Sequence, residues 1–201
     1  LAMENTDYGG KAYRIRNSSY ADNQDGKDEY FIIQRIQNQG WNSRLGSNKQ
    51  KLDGLMVYHV DYNPSDFSIS YNNVNNVVGH PKMGMVPADG KLISSYRVSN
   101  QEITNEEYST QLLGDLYGNS TLSAKTTFEQ SANIPNSQWW TEGDKVKLYN
   151  IHLHDNGILY VDFNKEIAST GINTVDKSSQ DKAIYSINGT RVGYDFDLLP
   201  K

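Results

Sequence analysis

The chain has 201 residues, a modest hydrophobic content of 36% and a formal net charge of −5 at pH 7, which suits one domain with at most a small appendage. It contains no run of basic residues, which argues against a nucleic-acid partner, and no apolar run near the ~20 residues that span a bilayer. It contains no cysteine, so disulfides, thiolate nucleophiles and cysteine zinc sites are excluded.

The first half of the chain is rich in strand signals. Alternating residues predict a strand from Lys11 to Arg16, and dense aromatic and β-branched residues predict a stronger one from Asp28 to Ile36. An apolar strand is predicted from Leu55 to Val60. A short strand at Met83 to Val86 and a further one at Lys91 to Val98 complete this half.

One helix is predicted, from Asn105 to Leu113. Thr104 can cap its first turn, acidic residues there suit the helix dipole, and Gly114 can end it. Thr121 to Phe128 is weakly strand-like. Asn136 to Gly143 is predicted to be a loop that carries the tryptophans as aromatic anchors.

The clearest hairpin signal joins two predicted strands, Lys145 to Asp155 and Gly157 to Phe163, at an Asp-Asn-Gly turn. Strands at regular spacing with turn signals predict a mainly β fold, an antiparallel β-sandwich with one short helix. We assign residues 1–164 to this sandwich, the polar residues 165–182 to a linker, and residues 183–201 to a C-terminal hairpin module. A lone hairpin is marginal in water, so we expect this module to dock on the main body or to be truncated.

Four histidines are the side chains most suited to metal or acid–base chemistry near neutral pH. His152 and His154 lie two apart on a predicted strand and so share a face that a zinc site can use, but no third ligand is identifiable. Alternation on the wet face of a hairpin is the favoured explanation. His59 and Asp61 also share a face, and without a Gly-x-Ser-x-Gly or His-Glu-x-x-His motif the favoured role of His59 is structural.

Two further groups of residues each have two possible roles. Asp61, Asn63 and Asp66 offer oxygens to calcium but do not fit the twelve-residue calcium loop, and Asn and Asp are common in loops for their own hydrogen bonds. Three tryptophans could form a glycan-stacking platform, or serve as core edges and interface anchors: Trp41, Trp139 and Trp140.

Several ordered motifs resemble a run in secreted zinc metallopeptidases of the immune inhibitor A type. The resemblance covers about Lys11 to Asn164. It rests on Glu29-Tyr-Phe-Ile-Ile33, Gly40-Trp41, Gly54-Leu-Met-Val-Tyr-His-Val-Asp61, Asn72-Asn73-Val-Asn-Asn76, His80-Pro81, Ala88-Asp89-Gly90, Gly114-Asp115-Leu-Tyr-Gly118 and the Ile151 to Phe163 hairpin. The tail, Ile184 to Val192 and Leu198 to Lys201, is similar to the end module of many proteins exported by anaerobic gut bacteria.

The chain also departs from the family pattern. The family's His-Glu-x-x-His helix is absent, its Arg falls at Ile36 with Arg35 one position early, and Tyr58 replaces a Trp. The resemblance therefore implies the region after the catalytic domain and places no zinc ligand on this chain. Because the sequence begins at Leu1 and shows no signal peptide, we expect a processed or excised piece of a secreted or cell-surface bacterial protein.

The resemblance implies a non-catalytic accessory domain that packs on and stabilises a catalytic domain of the same parent protein. That absent domain would hold zinc and act on protein substrates, whereas this chain by itself would be inactive and hold no cofactor, with calcium left open. Glu29, Arg35, His59 and Asp61 are the candidates for polar contacts at the domain junction. The alternative is a glycan-binding module using the tryptophans, and a free-standing enzyme ranks last.

Overall fold

The computed structural model describes residues 1–20, 24–44, 46–47, 50–51, 53–71, 73–93, 95–118, 125–165, 184–185 and 191–193. The chain divides into two compact units, Leu1–Ile167 and Ala168–Lys201, and this division falls inside the predicted linker. The strands are β1 (Ala2–Met3), β2 (Tyr13–Arg16), β3 (Asp28–Gln37), β4 (Gly46–Ser47), β5 (Gln50–Lys51), β6 (Asp53–Tyr62), β7 (Met83–Met85), β8 (Phe128–Glu129), β9 (Lys147–Leu153), β10 (Leu159–Phe163), β11 (Ile184–Tyr185) and β12 (Arg191–Gly193). The α-helices are α1 (Ser95–Ser99) and α2 (Asn105–Leu113).

The first sheet has the order β2-β3-β6-β7, and all its pairings are antiparallel. Strands β3 and β6 are its centre and pair along ten residues, from Asp28 opposite Tyr62 to Gln37 opposite Asp53. The predicted strands at these positions are confirmed, each slightly longer than expected. Their β-branched and aromatic residues suit a sheet with one buried face.

The second sheet has the order β1-β10-β9-β8 and is also antiparallel. The predicted hairpin is confirmed as β9 and β10, and its turn uses Gly157 in the left-handed region at φ 76°. The two sheets enclose one apolar core. Its strand residues with no exposed surface are Phe31, Ile33, Leu55 and Val57 from the first sheet, and Leu148, Ile151, Leu159 and Val161 from the second. The mainly β, antiparallel sandwich is thus as predicted.

Helix α2 agrees with the prediction in its bounds and its caps. The Thr104 side chain accepts a hydrogen bond from the Glu107 N–H, and the Glu107 carboxylate accepts one from the Thr104 N–H. Gly114 follows as the C-cap. A small second apolar cluster joins the end of this helix to β3 through Ile36, Leu113 and Leu116.

The predicted strand at Lys91 to Val98 is wrong, because residues 95–99 form α1. Its apolar residues indicated a strand, but the segment pairs with no strand among the described residues and closes locally instead. The Glu102 N–H donates to the Arg97 carbonyl at 2.9 Å, and the two side chains form an ion pair at 3.0 Å. The weak strand predicted at Thr121 to Phe128 is corrected for residues 125–127, which are irregular, because β8 begins only at Phe128. Residues 121–124 of that prediction lie outside the described part.

The second unit contains one described pairing. Strands β11 and β12 are antiparallel, which is the hairpin predicted there, while its Asn188-Gly189 turn lies outside the described residues, as does all but Lys165 of the predicted linker. In the described segments of the chain, no helix has the length and apolar character to cross a membrane.

Candidate functional site

The register of β3 and β6 brings Glu29 and His59 together. Glu29 lies opposite Asp61 and Phe31 lies opposite His59, so Glu29 and His59 are diagonal neighbours. The imidazole Nε2 lies 2.9 Å from the Glu29 Oε1. Both residues are buried, with 0% of Glu29 and 2% of His59 exposed. A buried carboxylate requires partners, and the loop between β8 and β9 supplies most of them.

Both oxygens of the Glu29 carboxylate accept more than one hydrogen bond. Its Oε1 accepts from the Trp140 N–H at 2.6 Å as well as from His59, and its Oε2 accepts from the Thr141 hydroxyl at 2.5 Å. The Asn17 amide also donates to Oε2, at 2.9 Å. These five residues, Asn17, Glu29, His59, Trp140 and Thr141, are called here the Glu29 network.

The hydrogen bonds determine the charge of Glu29. Burial by itself raises the pKa of this carboxyl, but the hydrogen bonds from His59, Thr141, Trp140 and Asn17 outweigh burial and lower the pKa to about 2. The carboxylate is therefore ionised at neutral pH. A general base works best with a pKa near the operating pH and an oxygen free to receive a proton, and Glu29 has neither.

Aromatic rings enclose His59. The imidazole centroid lies 5.0 Å from the ring of Phe31 and 5.5 Å from that of Trp139. Trp139 packs on Phe31 at 4.3 Å, and its indole N–H donates to the Asp144 carbonyl. His59 is thus held by hydrogen bonding and packing at the end of β6, which is the structural role that the sequence favoured.

A second group of polar side chains contacts Trp140 through the His80 ring. The His80 ring stacks on the Trp140 indole with centroids 3.9 Å apart, and its Nε2 lies 2.7 Å from Asp61 Oδ2. The Lys82 ammonium lies 2.7 Å from the same oxygen and 3.8 Å from Asp66. Three of the four predicted junction residues, Glu29, His59 and Asp61, therefore lie at one end of the β3–β6 pair.

The fourth junction candidate, Arg35, lies elsewhere. It is buried near the other end of β3, where its guanidinium is 3.3 Å from Asp53 and donates to the Gly157 carbonyl. The Thr6 hydroxyl donates to the Arg35 carbonyl at 3.1 Å. Arg35 therefore connects β3 to the β9–β10 turn and has no part in the Glu29 network. The assignment of these four residues to a domain junction stays a prediction.

The oxygens proposed for calcium at the end of β6 have partners within the chain. The Lys82 ammonium lies between the carboxylates of Asp61 and Asp66, and the Asn63 amide oxygen accepts from the Ser65 N–H and hydroxyl. A cation of the protein itself therefore already pairs with both carboxylates. Asn63 acts as a turn residue there.

His152 and His154 lie on the exposed side of the β9–β10 hairpin with ring centroids 5.2 Å apart. The ring of His154 also contacts Tyr160, at 4.6 Å between centroids. Among the described residues, no group of three or more His, Cys, Asp or Glu is placed to hold a metal ion. The pair shares a face, as its spacing predicted, but brings no third side chain of these types with it.

The three tryptophans do not form one platform. Trp41 is 96% exposed and Trp140 43%, whereas Trp139 packs against the core. Trp41 lies four residues past the end of β3, whereas Trp140 contacts Glu29 near the start of that strand. His80 covers one face of Trp140, so Trp41 is the tryptophan best placed to stack on a sugar.

The close approach of Gly143 to Asn17 yields a first prediction. A Cβ at Gly143 would lie 2.7 Å from the Asn17 Cγ, and Asn17 is buried. We expect Gly143→Ala to lower the free energy of unfolding by about 1–3 kcal/mol, because overpacking would push Asn17 away from Glu29. Urea unfolding of the variant measures this cost.

A double-mutant cycle supplies the control for Gly143→Ala. Removing the Asn17 side chain makes room for the new methyl group, so Gly143→Ala should cost much less in an Asn17→Ala background. An equal cost in both backgrounds would show that the clash with Asn17 is not its cause.

Sequence reasoning identified His59 and Asp61 but missed Asn17, the Trp140 N–H and Thr141 as partners of Glu29. The only available signal was the loop position of Trp140, which sequence alone cannot connect to β3.

Comparison with known protein families, with curated proteins and with solved structures finds no match for this chain.

Proposed function

We propose that the chain is a non-catalytic accessory domain of a secreted, zinc-metallopeptidase-like bacterial protein. In this proposal the domain packs on a catalytic domain of the same parent protein and stabilises it. The resemblance of its ordered motifs to the region after the catalytic domain in immune inhibitor A-type peptidases supports the family. The antiparallel sandwich is compatible with such a domain, although a fold alone does not specify a function.

The observation that carries the proposal is an exposed apolar surface on the loop between β6 and β7. Large apolar side chains on this loop are exposed to solvent, namely Ile69, Tyr71, Val77 and Val78. We call these four residues the apolar loop surface. Contiguous exposed apolar patches mark interaction surfaces, and we propose that these four residues, which share one loop, form such a patch.

Hydrogen bonds and an ion pair hold the two ends of this loop together. The Asp61 N–H donates to the Lys82 carbonyl at 2.8 Å, and the Lys82 N–H donates to the Val74 carbonyl at 3.0 Å. The ion pair between Lys82 and Asp61 joins the same two ends of the loop. Because Lys82 pairs with both Asp61 and Asp66 beneath the loop, its charge has partners within the chain while the loop presents apolar groups to a neighbouring domain.

The Glu29 network supports a structural rather than a chemical role for this end of the sheet. Its carboxylate is saturated with hydrogen bonds, and its imidazole is enclosed by aromatic rings. A site of this kind fixes the loop that carries Trp140, next to the base of the apolar loop surface. Glu29, His59 and Asp61 would then order the junction from beneath it.

Two measurements on the purified chain test the proposal. In a casein-cleavage assay with and without chelator, we expect no proteolysis, and chelator-sensitive cleavage would contradict the proposal. In a binding titration with the catalytic domain of the parent protein, we expect a complex. Failure of the two domains to bind would contradict the proposal equally.

Variants locate the interface. We expect Ile69→Ser combined with Val78→Ser to weaken the complex by about tenfold or more, since removing central apolar contacts has effects of this size. Leu92→Ser is the matched control, because Leu92 is also an exposed apolar residue but lies outside the loop. Equal loss in the control would place the interface elsewhere.

The glycan-binding alternative keeps one supporting observation, the nearly complete exposure of Trp41. An exposed indole offers a flat apolar face on which a sugar ring can stack. In this alternative Trp41 is the binding residue, and Trp139 and Trp140 serve the packing of the β8–β9 loop.

A further inference from the structure

Two carboxylates meet where the end of α2 runs beside the turn at residues 88–90. The Ala88 N–H donates to the Asp115 carbonyl at 3.0 Å, and the Asp89 N–H donates to the Gly114 carbonyl at 3.1 Å. A Cβ added to Gly114 would lie 2.8 Å from Asp89 Oδ2. The Asp89 carboxylate therefore lies against the backbone one residue before Asp115.

Two buried oxygens at this point have no hydrogen-bond partner among the described residues. Asp115 is 2% exposed, and while its Oδ1 accepts from the Gln111 amide at 2.7 Å, its Oδ2 accepts from no group in the described part of the chain. The Gln111 Oε1, on the same side chain that contacts Asp115, is likewise buried and without a partner. Buried polar atoms in native proteins almost always have a partner, so two orphaned oxygens on touching side chains indicate a missing partner group, either a donor or a cation.

The surrounding charges do not supply that group. In the described part of the chain, neither Asp89 nor Asp115 forms an ion pair with a basic side chain. The Asp115 side chain contacts Gln111, and Asp89 lies against the backbone beside it, so two carboxylates and an amide oxygen meet at this place.

We propose that Asp115 Oδ2, Gln111 Oε1 and the Asp89 carboxylate are ligands of a calcium ion. All three are oxygen donors, and hard divalent cations prefer oxygen donors. Calcium tolerates an irregular set of ligands completed by water, which half-buried Asp89 leaves room for, whereas magnesium requires near-ideal octahedral geometry. The site also lies just beyond the C-terminus of α2, where the helix dipole favours a cation.

This site differs from the acidic group at the end of β6. There the Lys82 ammonium already lies between Asp61 and Asp66, and neither carboxylate of that pair has an unpartnered buried oxygen. Asp66 is therefore a suitable control position, because it is an acidic loop residue with no part in the proposed site.

The test is calorimetric titration of the metal-stripped chain with calcium chloride, and with magnesium chloride in parallel. We expect the wild type to bind a single calcium ion and to bind magnesium more weakly. Asp115→Asn and Asp89→Asn should each weaken calcium binding by more than about tenfold, the loss that even outer-shell changes produce at metal sites. Asp66→Asn should bind calcium like the wild type.

Thermal melts separate a lost ligand from a lost fold. Asp115→Asn removes a buried charge without changing shape, so in chelator it should melt no lower than the wild type, whereas calcium should raise the midpoint of the wild type but not that of Asp115→Asn. If Asp115→Asn does not fold, Asp89→Asn decides, because Asp89 is less buried. Absence of calcium binding to the wild type, or calcium binding that survives in the folded variants, overturns the proposal.

Discussion

Replacing Glu29 by Ala is expected to lower the free energy of unfolding by about 3–5 kcal/mol, because the buried carboxylate is the shared acceptor of several hydrogen bonds. The variant removes the acceptor of the buried His59 imidazole and of two donors in a partly exposed loop, the Trp140 N–H and the Thr141 hydroxyl, while the buried Asn17 amide keeps its hydrogen bond to Thr141. A buried donor left without its acceptor carries a desolvation penalty of about 1–3 kcal/mol, and the exposed donors recover part of their loss from water. Urea unfolding at pH 7 measures the change.

The matched control is Glu129→Gln. Glu129 is exposed and forms an ion pair with Lys147 at 2.6 Å, so losing its charge should cost less than about 1 kcal/mol. Glu29→Gln, which keeps the shape of the side chain, should fall between the two. If Glu29→Ala cost no more than Glu129→Gln, the Glu29 network would not stabilise the fold.

Acid is expected to remove the contribution of Glu29 to stability. Its pKa is about 2 in the folded chain and near 4.5 in the unfolded chain, so the unfolded state binds more protons as the pH falls. The stabilisation is therefore complete above about pH 5 and is lost as the pH falls toward 2. A shift of this size corresponds to about 3 kcal/mol.

The measurement compares the wild type with Glu29→Gln between pH 7 and pH 2. Other carboxylates titrate in both proteins, so their effect cancels in the difference between the two unfolding free energies. We expect that difference to shrink as the pH falls below about 5, because the glutamine cannot titrate. A difference that stays constant with pH would contradict the assigned charge state of Glu29.

Local signals predicted the elements whose information lies within a few residues. The β3 and β6 strands follow from continuous β-branched and aromatic residues, the β9–β10 hairpin from its Asp-Asn-Gly turn, and α2 from the Thr104 cap. The error at α1 has the same origin. Its residues have strand propensity, but a strand also requires a neighbouring strand, and propensity does not report that.

The candidate site depended on contacts that no local pattern contains. Glu29 is joined to Trp140 and Thr141 across more than a hundred residues of sequence. The sequence placed His59 and Asp61 on one face of a strand, but the register that adds Glu29 exists only in the paired sheet. In the same way, counting oxygens near Asp61 suggested calcium, whereas the folded chain places the Lys82 ammonium there.

The Glu29 network also has a consequence for folding kinetics. Asn17 and Thr141, which hydrogen-bond each other beside Glu29, are 124 residues apart in sequence. Closing so long a loop is entropically costly, and the partners meet only after the sheets have formed, so the network belongs to the late steps of folding. Contacts absent from the transition state act on the unfolding rate. We therefore expect the network to set how long the folded domain persists rather than how quickly it forms.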